Sequence, residues 1–300
     1  MRILVAGRTG QLAIELMERL PRDGHQPVAG EAPELDLTDP ASIARAVEAA
    51  APDVIINAAA YTAVDRAESQ RDLAFAVNAT GAGLLAEAAA RRGIPFVHVS
   101  TDYVFPGDGG APYAEDAPTG PVGVYGESKL AGERAVMAAN PRSIILRTAW
   151  VCSPHGGNFV KTMLRLGQER ALVSVVSDQQ GAPTFAADLA DAIARILPRL
   201  ADAKAGDEGL GVFHLTGAPH TSWHGFAQAI FAEAAARGLK TPELRAITTA
   251  EYPTPARRPA DGRLDCGRIA RIHGIQPADW RQSLSRCLDA LIGPMEKTRA

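Results

Sequence analysis

The chain has 300 residues, of which 46% are hydrophobic and 22% charged, and this balance excludes an intrinsically disordered protein. The formal net charge is −3 and Lys and Arg are spread along the chain, which excludes the concentrated basic surface of a nucleic-acid-binding protein. Apolar runs stay far below the roughly 20 residues of a membrane span, so neither nucleic acid nor a membrane is an expected partner. The three cysteines fit neither a zinc site nor a redox dithiol, and unpaired thiols favour a cytoplasmic protein.

Short β-branched runs alternate with Ala- and Leu-rich stretches through the first half of the chain. The predicted strands are 3–6, 27–29, 53–57, 94–99 and 143–147, and the predicted helices are 11–20, 40–50, 73–92 and 126–139. The strand segments are continuously apolar, which is typical of strands buried on both faces of a parallel sheet. Residues 1–150 therefore predict an α/β fold, a Rossmann-type doubly wound parallel sheet.

The alternation loosens after residue 150. Helices are predicted at 159–170, 186–197 and 223–237, and strands at 173–176 and 212–215. The run Tyr-Pro-Thr-Pro-Ala-Arg-Arg-Pro at 252–259 cannot be helical and is expected to cross the surface in extended form. Residues 151–300 thus predict a smaller, interleaved C-terminal lobe for the substrate, with some segments returning to the first domain.

A glycine-rich turn joins the first strand to the first helix. Gly7 permits the tight turn, and Gly10 lets the backbone approach a pyrophosphate at the helix N-terminus, where Gln11 and Leu12 begin the helix. Ala13 keeps the third position small. An ordinary strand-to-helix turn is the alternative, but the strand before and the helix after favour a dinucleotide-binding loop.

Acidic residues follow the second strand, where the adenosine ribose of a dinucleotide would lie. Glu31 there favours NADH over NADPH, whereas Arg8 in the glycine loop could reach a 2′-phosphate, so both cofactors stay open. Asp36 and Leu37 are candidates to border the adenine. The alternative is a plain loop in which Asp39 caps the next helix.

Tyr125 and Lys129 stand four residues apart, which places them on one face of a helix. A phenol has a free pKa near ~10 and donates a proton best when a cation lowers that value. A surface Tyr and Lys pair is the common alternative. Thr101 and Asp102 are expected just past the end of the fourth strand, at the sheet edge where open α/β sheets bind ligands. This combination predicts the reduction of a carbonyl, with the Thr101 hydroxyl bonded to the substrate oxygen.

Several motifs together resemble the extended short-chain dehydrogenases, and within them the dTDP-4-dehydrorhamnose reductase family. They are found at residues 7–12, 57–65, 100–105, 124–133, 147–151, 178–184 and 252–259. The resemblance covers nearly the whole chain. It implies NADH- or NADPH-dependent reduction of a dTDP-linked 4-keto sugar.

The resemblance also implies roles for individual residues. The catalytic triad would be Thr101, Tyr125 and Lys129, and the substrate contacts would be Thr101, Asp102, Tyr125 and Trp150. Together with Gly7 and Glu31, which were argued above from the residues themselves, the cofactor contacts would be Gly7, Gly10, Gln11, Leu12, Glu31, Asp36, Leu37, Ala59, Ala60, Thr62, Tyr125 and Lys129. Simple helix–sheet packing is the alternative for the small residues at 58–60.

Related activities differ at single positions. Sugar-nucleotide dehydratases carry Glu directly after Thr-Asp, where this chain has Tyr103, so the base that elimination requires is missing. Two alternatives remain: a reductase of another 4-keto nucleotide sugar, and a cofactor-binding regulatory subunit like that of methionine adenosyltransferase.

Three questions stay open: whether a metal binds, whether the chain forms a dimer, and which residues bind the substrate pyrophosphate. Some family members bind Mg²⁺ at a dimer contact through acids, one of them in the first helix where Glu15 stands, so Mg²⁺ and a homodimer remain open. A solvated Glu15 is the alternative. Arg257 and Arg258 either clamp the substrate pyrophosphate or belong to a solvated crossing.

Overall fold

The structure is a computed structural model that describes residues 1–293. The strands are β1 (Arg2–Ala6), β2 (Gln26–Gly30), β3 (Val54–Asn57), β4 (Phe96–Thr101), β5 (Ser143–Thr148), β6 (Val151–Cys152), β7 (Leu172–Val176), β8 (Gln180–Gly181), β9 (Thr184–Phe185), β10 (Gly211–His214), β11 (Thr221–Ser222) and β12 (Glu243–Ile247). The helices are α1 (Gln11–Arg19), α2 (Pro40–Ala50), α3 (Val64–Ala67), α4 (Arg71–Phe75), α5 (Ala82–Arg91), α6 (Val124–Ala139), α7 (Phe159–Glu169), α8 (Ala186–Asp202), α9 (Trp223–Ala236), α10 (Gly267–His273) and α11 (Trp280–Ile292).

Six strands form one parallel sheet in the order β10-β5-β4-β3-β1-β2. In this order β2 lies on one side of β1, and β3, β4, β5 and β10 follow one another on the other side. The strand order therefore reverses at β1. Ligands of open α/β sheets bind at such a reversal, outside the carboxyl ends of the strands. The predicted doubly wound α/β fold is confirmed.

Both faces of this sheet are buried. Alternate side chains of β1 enter opposite cores: Ile3 and Val5 pack with α1 and α8, whereas Leu4 and Ala6 pack with α2 and α5. This is why the strands read as continuous apolar runs. A third core belongs to the second half of the chain and includes Trp280.

Segments beyond residue 150 return to the sheet: β10 pairs with β5, and α8 packs on α1. The remaining elements, among them α7, α9 and α11, enclose the third core. The division at residue 150 into a cofactor domain and a substrate lobe stays a prediction, and residues 294–300 of that lobe lie outside the described residues.

The predicted helix 73–92 begins two residues earlier and contains a π-helical turn at Ala76–Gly81 between α4 and α5. At Gly81 this helix comes so close to Leu37 that a Cβ would lie 2.7 Å from the Leu37 Cβ. By length and composition alone, the helix Arg71–Arg91 could cross a membrane. In this structure it packs against α2 and α6.

The prediction for the fourth strand was displaced by two residues, since β4 covers 96–101 and not 94–99. The Ile94 N–H bonds the Ala89 carbonyl at the end of α5, and Pro95 has no N–H to offer a ladder. At the other end Ser100 and Thr101 pair with β5. Thr101 is therefore the last residue of the strand, and the expectation that it lies past the strand end was wrong.

The Pro-rich run 252–259 is not helical, as predicted, but it bends at 255–256 and is not wholly at the surface. Ala256 is 2% exposed and Pro259 is buried, whereas Tyr252 is exposed. Pro259 lies so close to Gly107, whose φ is +83°, that a Cβ there would come within 2.5 Å of it. The run therefore packs against the loop that follows β4.

Candidate active site

The glycine loop lies at the carboxyl end of β1. Gly7 has a φ of +108° and donates its N–H to the Gly30 carbonyl at 2.7 Å. Gly10 precedes α1 as its N-cap, no side chain caps the helix, and its first turn holds no acid. A Cβ on Gly10 would meet nothing within 4 Å. The loop therefore presents the uncapped positive end of α1 to open space, which fits the pyrophosphate of a dinucleotide.

The two residues that begin α1 face different surroundings. Leu12 is 7% exposed and belongs to the core. The Gln11 Oε1 accepts hydrogen bonds from Ser153 Oγ (2.9 Å) and Asn158 Nδ2 (2.8 Å). Gln11 thus ties the glycine loop to the segment that follows β6.

Acidic residues border the loop after β2. The Glu31 carboxylate accepts a hydrogen bond from Thr9 Oγ1 at 2.8 Å, and Arg8 pairs with Glu34 at 3.5 Å between exposed side chains. Asp36 accepts from the backbone and the hydroxyl of Thr38, which lowers the pKa of its carboxyl. Asp39 accepts from Ala41 N at the start of α2, which is the cap named in the plain-loop alternative, and the contacts of Asp36 and Leu37 with the cofactor stay a prediction.

The small residues after β3 form a loop held by two buried amides. Asn57 accepts from Ala59 N at 3.2 Å, and Asn78 in the π-helical turn bonds both backbone groups of Tyr61. Ala59 and Ala60 are partly exposed and Thr62 is exposed. The loop is therefore ordered by the amides while its small side chains stay accessible.

The proposed acid lies across from the end of β4. Tyr125 is in the first turn of α6, and its ring meets the ring of Tyr103 edge-on at 5.4 Å between centroids. Burial raises the pKa of Tyr125 to about 12, and the Thr101 side chain, placed to hydrogen-bond the phenol, opposes part of that rise. The Thr101 hydroxyl also donates to Asp102 Oδ1 at 3.1 Å. The structure thus brings Thr101, Asp102 and Tyr125 together.

Asp102 is 3% exposed, and burial raises the pKa of its carboxyl to about 7. Its Oδ2 lies directly against Gly262, where a Cβ would approach it within 2.3 Å. Only a residue without a side chain fits at position 262 while this carboxyl keeps its place. This contact joins the end of β4 to the second half of the chain.

Lys129 follows Tyr125 by one helical turn and is 2% exposed. Its Nζ donates to the Val99 carbonyl at 2.7 Å and lies 3.3 Å from His98 Nε2. Burial lowers the pKa of Lys129 to about 8. The pair predicted from the sequence is therefore on one face of α6, with the lysine held against β4.

Trp150 comes just after β5 in a left-handed conformation, with φ +48°. Its indole stacks on Trp223 with ring centroids 3.7 Å apart. The two rings contribute to a narrow cleft, which is lined by Asp102, Tyr103, Trp150, Gln179, Gln180, Trp223, Pro259 and Gly262. The two predicted sugar contacts, Asp102 and Trp150, thus line the same cleft.

Comparison with known proteins shows what family shares this arrangement. A family model described as the RmlD substrate binding domain matches residues 1–292. The chain is 46% identical over 295 residues to a dTDP-4-dehydrorhamnose reductase of Sinorhizobium fredii, covering 97% of this chain and 98% of the relative. The chain belongs to the dTDP-4-dehydrorhamnose reductase family.

Solved structures of the reductase family have the same fold. A dTDP-4-dehydrorhamnose reductase from Clostridium acetobutylicum superposes with a TM-score of 0.90 at 36% identity, covering 97% of this chain and 99% of that one. Another, from Bacillus anthracis in complex with NADP, superposes with a TM-score of 0.87 at 35% identity and covers 96% and 98%. The family assignment therefore holds for sequence and structure alike.

In this reductase-family chain the two consecutive arginines have different surroundings. Arg258 pairs with Asp65 at 2.9 Å, and the same carboxylate accepts from Ala256 N, which attaches the Pro-rich run to α3. Arg257 is exposed and forms no ion pair within residues 1–293. A clamp made of both guanidinium groups is not present in this arrangement.

The Mg²⁺ suggested for Glu15 finds no support. Glu15 lies 3.6 Å from His155, and burial raises the pKa of its carboxyl. Asp188, in the first turn of α8, is engaged by Ser283 and Arg286. Across residues 1–293, no three acidic, histidine or cysteine side chains converge as a metal site would require.

Trp223 is a site residue that the sequence does not single out, because Trp223 and Phe226 are both expected in the core beneath the helix predicted at 223–237. Phe226 is fully buried, as expected, but Trp223 is only partly buried and faces Trp150. The sequence carried little signal for this: Trp223 is the first residue of α9, directly after the Ser222 cap, and its spacing to Phe226 and Ile230 places it on the apolar face of the helix.

Proposed function

We propose that this chain reduces the C4 keto group of dTDP-4-dehydro-L-rhamnose to the alcohol, with NADPH or NADH as the hydride donor. The observation that carries this proposal is the meeting of Thr101, Tyr125 and Lys129 with the Asp102 and Trp150 cleft at the carboxyl edge of the sheet. The family match over residues 1–292 supports the choice of substrate.

The cofactor supplies the hydride that C4 of the sugar accepts. Gly7 and Gly10 would hold its pyrophosphate against the N-terminus of α1. Glu31 lies where the adenosine ribose is expected, and the accessible Ala59 and Ala60 leave room beside the sheet edge. These features suit a dinucleotide without selecting between its two forms.

Tyr125 would donate the proton to the sugar oxygen. With its pKa raised to about 12, the phenol stays protonated at neutral pH and is ready to neutralise an alkoxide as C4 accepts the hydride. The Thr101 hydroxyl would orient the carbonyl beside it. Lys129, one turn along α6, would hold the nicotinamide ribose.

The cleft would seat the sugar. The Asp102 carboxyl can bond sugar hydroxyls, and the Trp150 and Trp223 rings offer a flat apolar wall. Arg257, which has no ion-pair partner within the described chain, is the nearer candidate for the pyrophosphate of the substrate, since Arg258 is held by Asp65.

The test is the oxidation of NADPH and NADH, followed by absorbance, with dTDP-4-dehydro-L-rhamnose generated in situ. Tyr125→Phe keeps the ring packing and removes the donated proton, so we expect turnover to fall by at least about 100-fold while NADPH binding stays within about twofold. Unchanged turnover in this variant would refute the assigned acid. Reduction of only a different 4-keto nucleotide sugar would keep the mechanism and replace the substrate.

Cofactor binding without turnover of any such sugar would instead favour a regulatory role. Titration with a methionine adenosyltransferase would then test that role directly. Thr101, Tyr125 and Lys129 lie together where the end of β4 meets α6, and Asp102 and Trp150 line the neighbouring cleft, which favours the enzyme.

A further inference from the structure

His98 is a buried histidine in the middle of β4 that the proposed mechanism does not use. It is 0% exposed and lies between two polar side chains from neighbouring elements. Its Nδ1 is 3.1 Å from Asn57 Nδ2 at the end of β3, and its Nε2 is 3.3 Å from Lys129 Nζ on α6. His98 therefore connects the cofactor-side loop to the catalytic lysine.

The hydrogen bonds through His98 form a chain whose two ends have fixed roles. At one end the backbone N–H of Ala59, which can only donate, bonds Asn57 Oδ1 at 3.2 Å. At the other end the carbonyl of Val99, which can only accept, receives Lys129 Nζ at 2.7 Å. Each inner link must therefore carry one proton, and the direction of donation is set from Ala59 toward Val99.

Following that direction determines the protonation of both side chains. Because Asn57 Oδ1 is taken by Ala59, the amide presents its NH₂ to His98 Nδ1, which must accept. A neutral imidazole whose Nδ1 accepts carries its proton on Nε2, and that N–H points at Lys129 Nζ. An ammonium there would set donor against donor, whereas a neutral amine accepts the proton and still donates to Val99.

We infer that His98 stabilises the neutral amine of Lys129 in the cofactor-free enzyme by donating its Nε2–H to Lys129 Nζ. His98 is thus a positioning residue, because it acts through Lys129. The inference deepens the proposed function and rests on it for the role of Lys129. Where Lys129 is neutral in the free enzyme, a cationic Lys129 during turnover requires the uptake of one proton when the site fills.

The charges around the pair agree with this assignment. Burial lowers the pKa of Lys129 to about 8 and keeps the pKa of His98 well below its ordinary value. Glu133 on α6 raises the pKa of Lys129, but its carboxylate is already held by the Arg147 guanidinium. Tyr125 on the same helix and Asp102 after β4 are the other ionisable groups of the site.

The first test reads the tautomer of His98 directly in the free enzyme. The chain has seven histidines, so ¹⁵N-histidine labelling gives a small set of long-range proton–nitrogen correlations, with His98 assigned by its loss in His98→Gln. We expect Nε2 at the protonated position and Nδ1 at the unprotonated one at about pH 9, where the Lys129 amine is neutral. A proton on Nδ1, or on both nitrogens, would overturn the inference.

The second test follows the lysine. The sequence holds five lysines, so ¹³C at the ε carbon resolves each, and Lys129→Met assigns the signal of interest. We expect Lys129 to titrate at least about one pH unit below the other four, and His98→Gln to raise its midpoint because an amide can turn its oxygen toward an ammonium. A Lys129 midpoint equal to the others, or unmoved in His98→Gln, would contradict the proposal.

His214→Gln is the matched control, since His214 is also fully buried and its Nε2 lies 3.4 Å from a cation, the Arg147 guanidinium. It should leave the Lys129 midpoint in place. Both measurements use free enzyme without substrate. If the substrate assignment is wrong, the results of these two measurements remain valid. If the tautomer of His98 is wrong, the result of the absorbance assay remains valid.

Discussion

Glu133→Gln is the substitution with the largest expected effect on stability at this site. Glu133 and Arg147 each have a side chain only 5% exposed, and their closest atoms are 2.7 Å apart. The same carboxylate accepts from Ser100 Oγ at 2.5 Å, directly before Thr101. The pair thus ties α6, which carries Tyr125, to β4 and β5.

The glutamine keeps the shape of the side chain and removes its charge. Arg147 would retain the Glu115 carbonyl and the Phe105 ring, but within the described residues Glu133 is its only anionic partner. Leaving one charge of a buried pair without its partner costs about 3–5 kcal/mol. For a chain of this size that corresponds to a fall in Tm of about 5–8 °C.

Thermal and urea unfolding of the cofactor-free protein measure this loss. Glu127→Gln is the matched control: Glu127 lies on the same helix and accepts from Arg71 at 2.6 Å, but the two side chains are 39% and 55% exposed, so about 0–1 kcal/mol is expected. Adding Arg147→Met to Glu133→Gln should recover part of the loss, since the stranded charge is gone. A Glu133→Gln protein no less stable than Glu127→Gln would refute the reasoning.

Three further substitutions separate stability from ligand binding. In Gly181→Ala the new methyl lies 2.7 Å from the Trp150 ring and displaces it, so KM for the sugar nucleotide should rise about tenfold in steady-state assays. The control is Gly157→Ala, whose methyl meets nothing within 4 Å and should leave this KM unchanged. The methyl of Gly10→Ala also meets nothing in the protein, so the Tm of this variant should stay within about 2 °C of the parent. Calorimetry should show weaker NADPH binding, and an unchanged affinity would contradict the assigned pyrophosphate site. Burial raises the pKa of Asp102 from 3.8 to about 7, so the folded protein binds this proton more tightly than the unfolded chain does. The stabilisation that results is complete at pH values below the pKa of the unfolded state, and it is lost as pH rises through about 7. Asp102→Asn should therefore gain in Tm relative to the parent between about pH 5 and pH 8, and a constant difference would argue against a buried, titrating carboxyl.

Much of the sheet could be predicted because its signals are local. The β1 run, the Gly7 turn and the helix capped by Asp39 each depend on neighbouring residues only, and each is found where it was expected. The end of β4 was misplaced because it is set by pairing of Ser100 and Thr101 with β5, more than 40 residues away along the chain. Apolarity alone does not contain that information.

The same division applies to the site. Tyr125 and Lys129 could be predicted because their spacing defines one helical face. The contact of Lys129 with His98 could not, since it depends on where α6 crosses β4. Trp223 was missed for a similar reason: the orientation of its partner Trp150 depends on a left-handed backbone conformation that no local sequence pattern indicates.

Transfer of the label from (4-²H)-labelled NADPH, carrying deuterium at the transferred position, tests the proposed reaction most directly. The protein is incubated with dTDP-4-dehydro-L-rhamnose, and the product is analysed by mass spectrometry and proton NMR. We predict dTDP-L-rhamnose that carries one deuterium at C4, formed by the parent protein and lost in Tyr125→Phe. An unreduced sugar, or a reduced product without deuterium at C4, would contradict the proposed reduction.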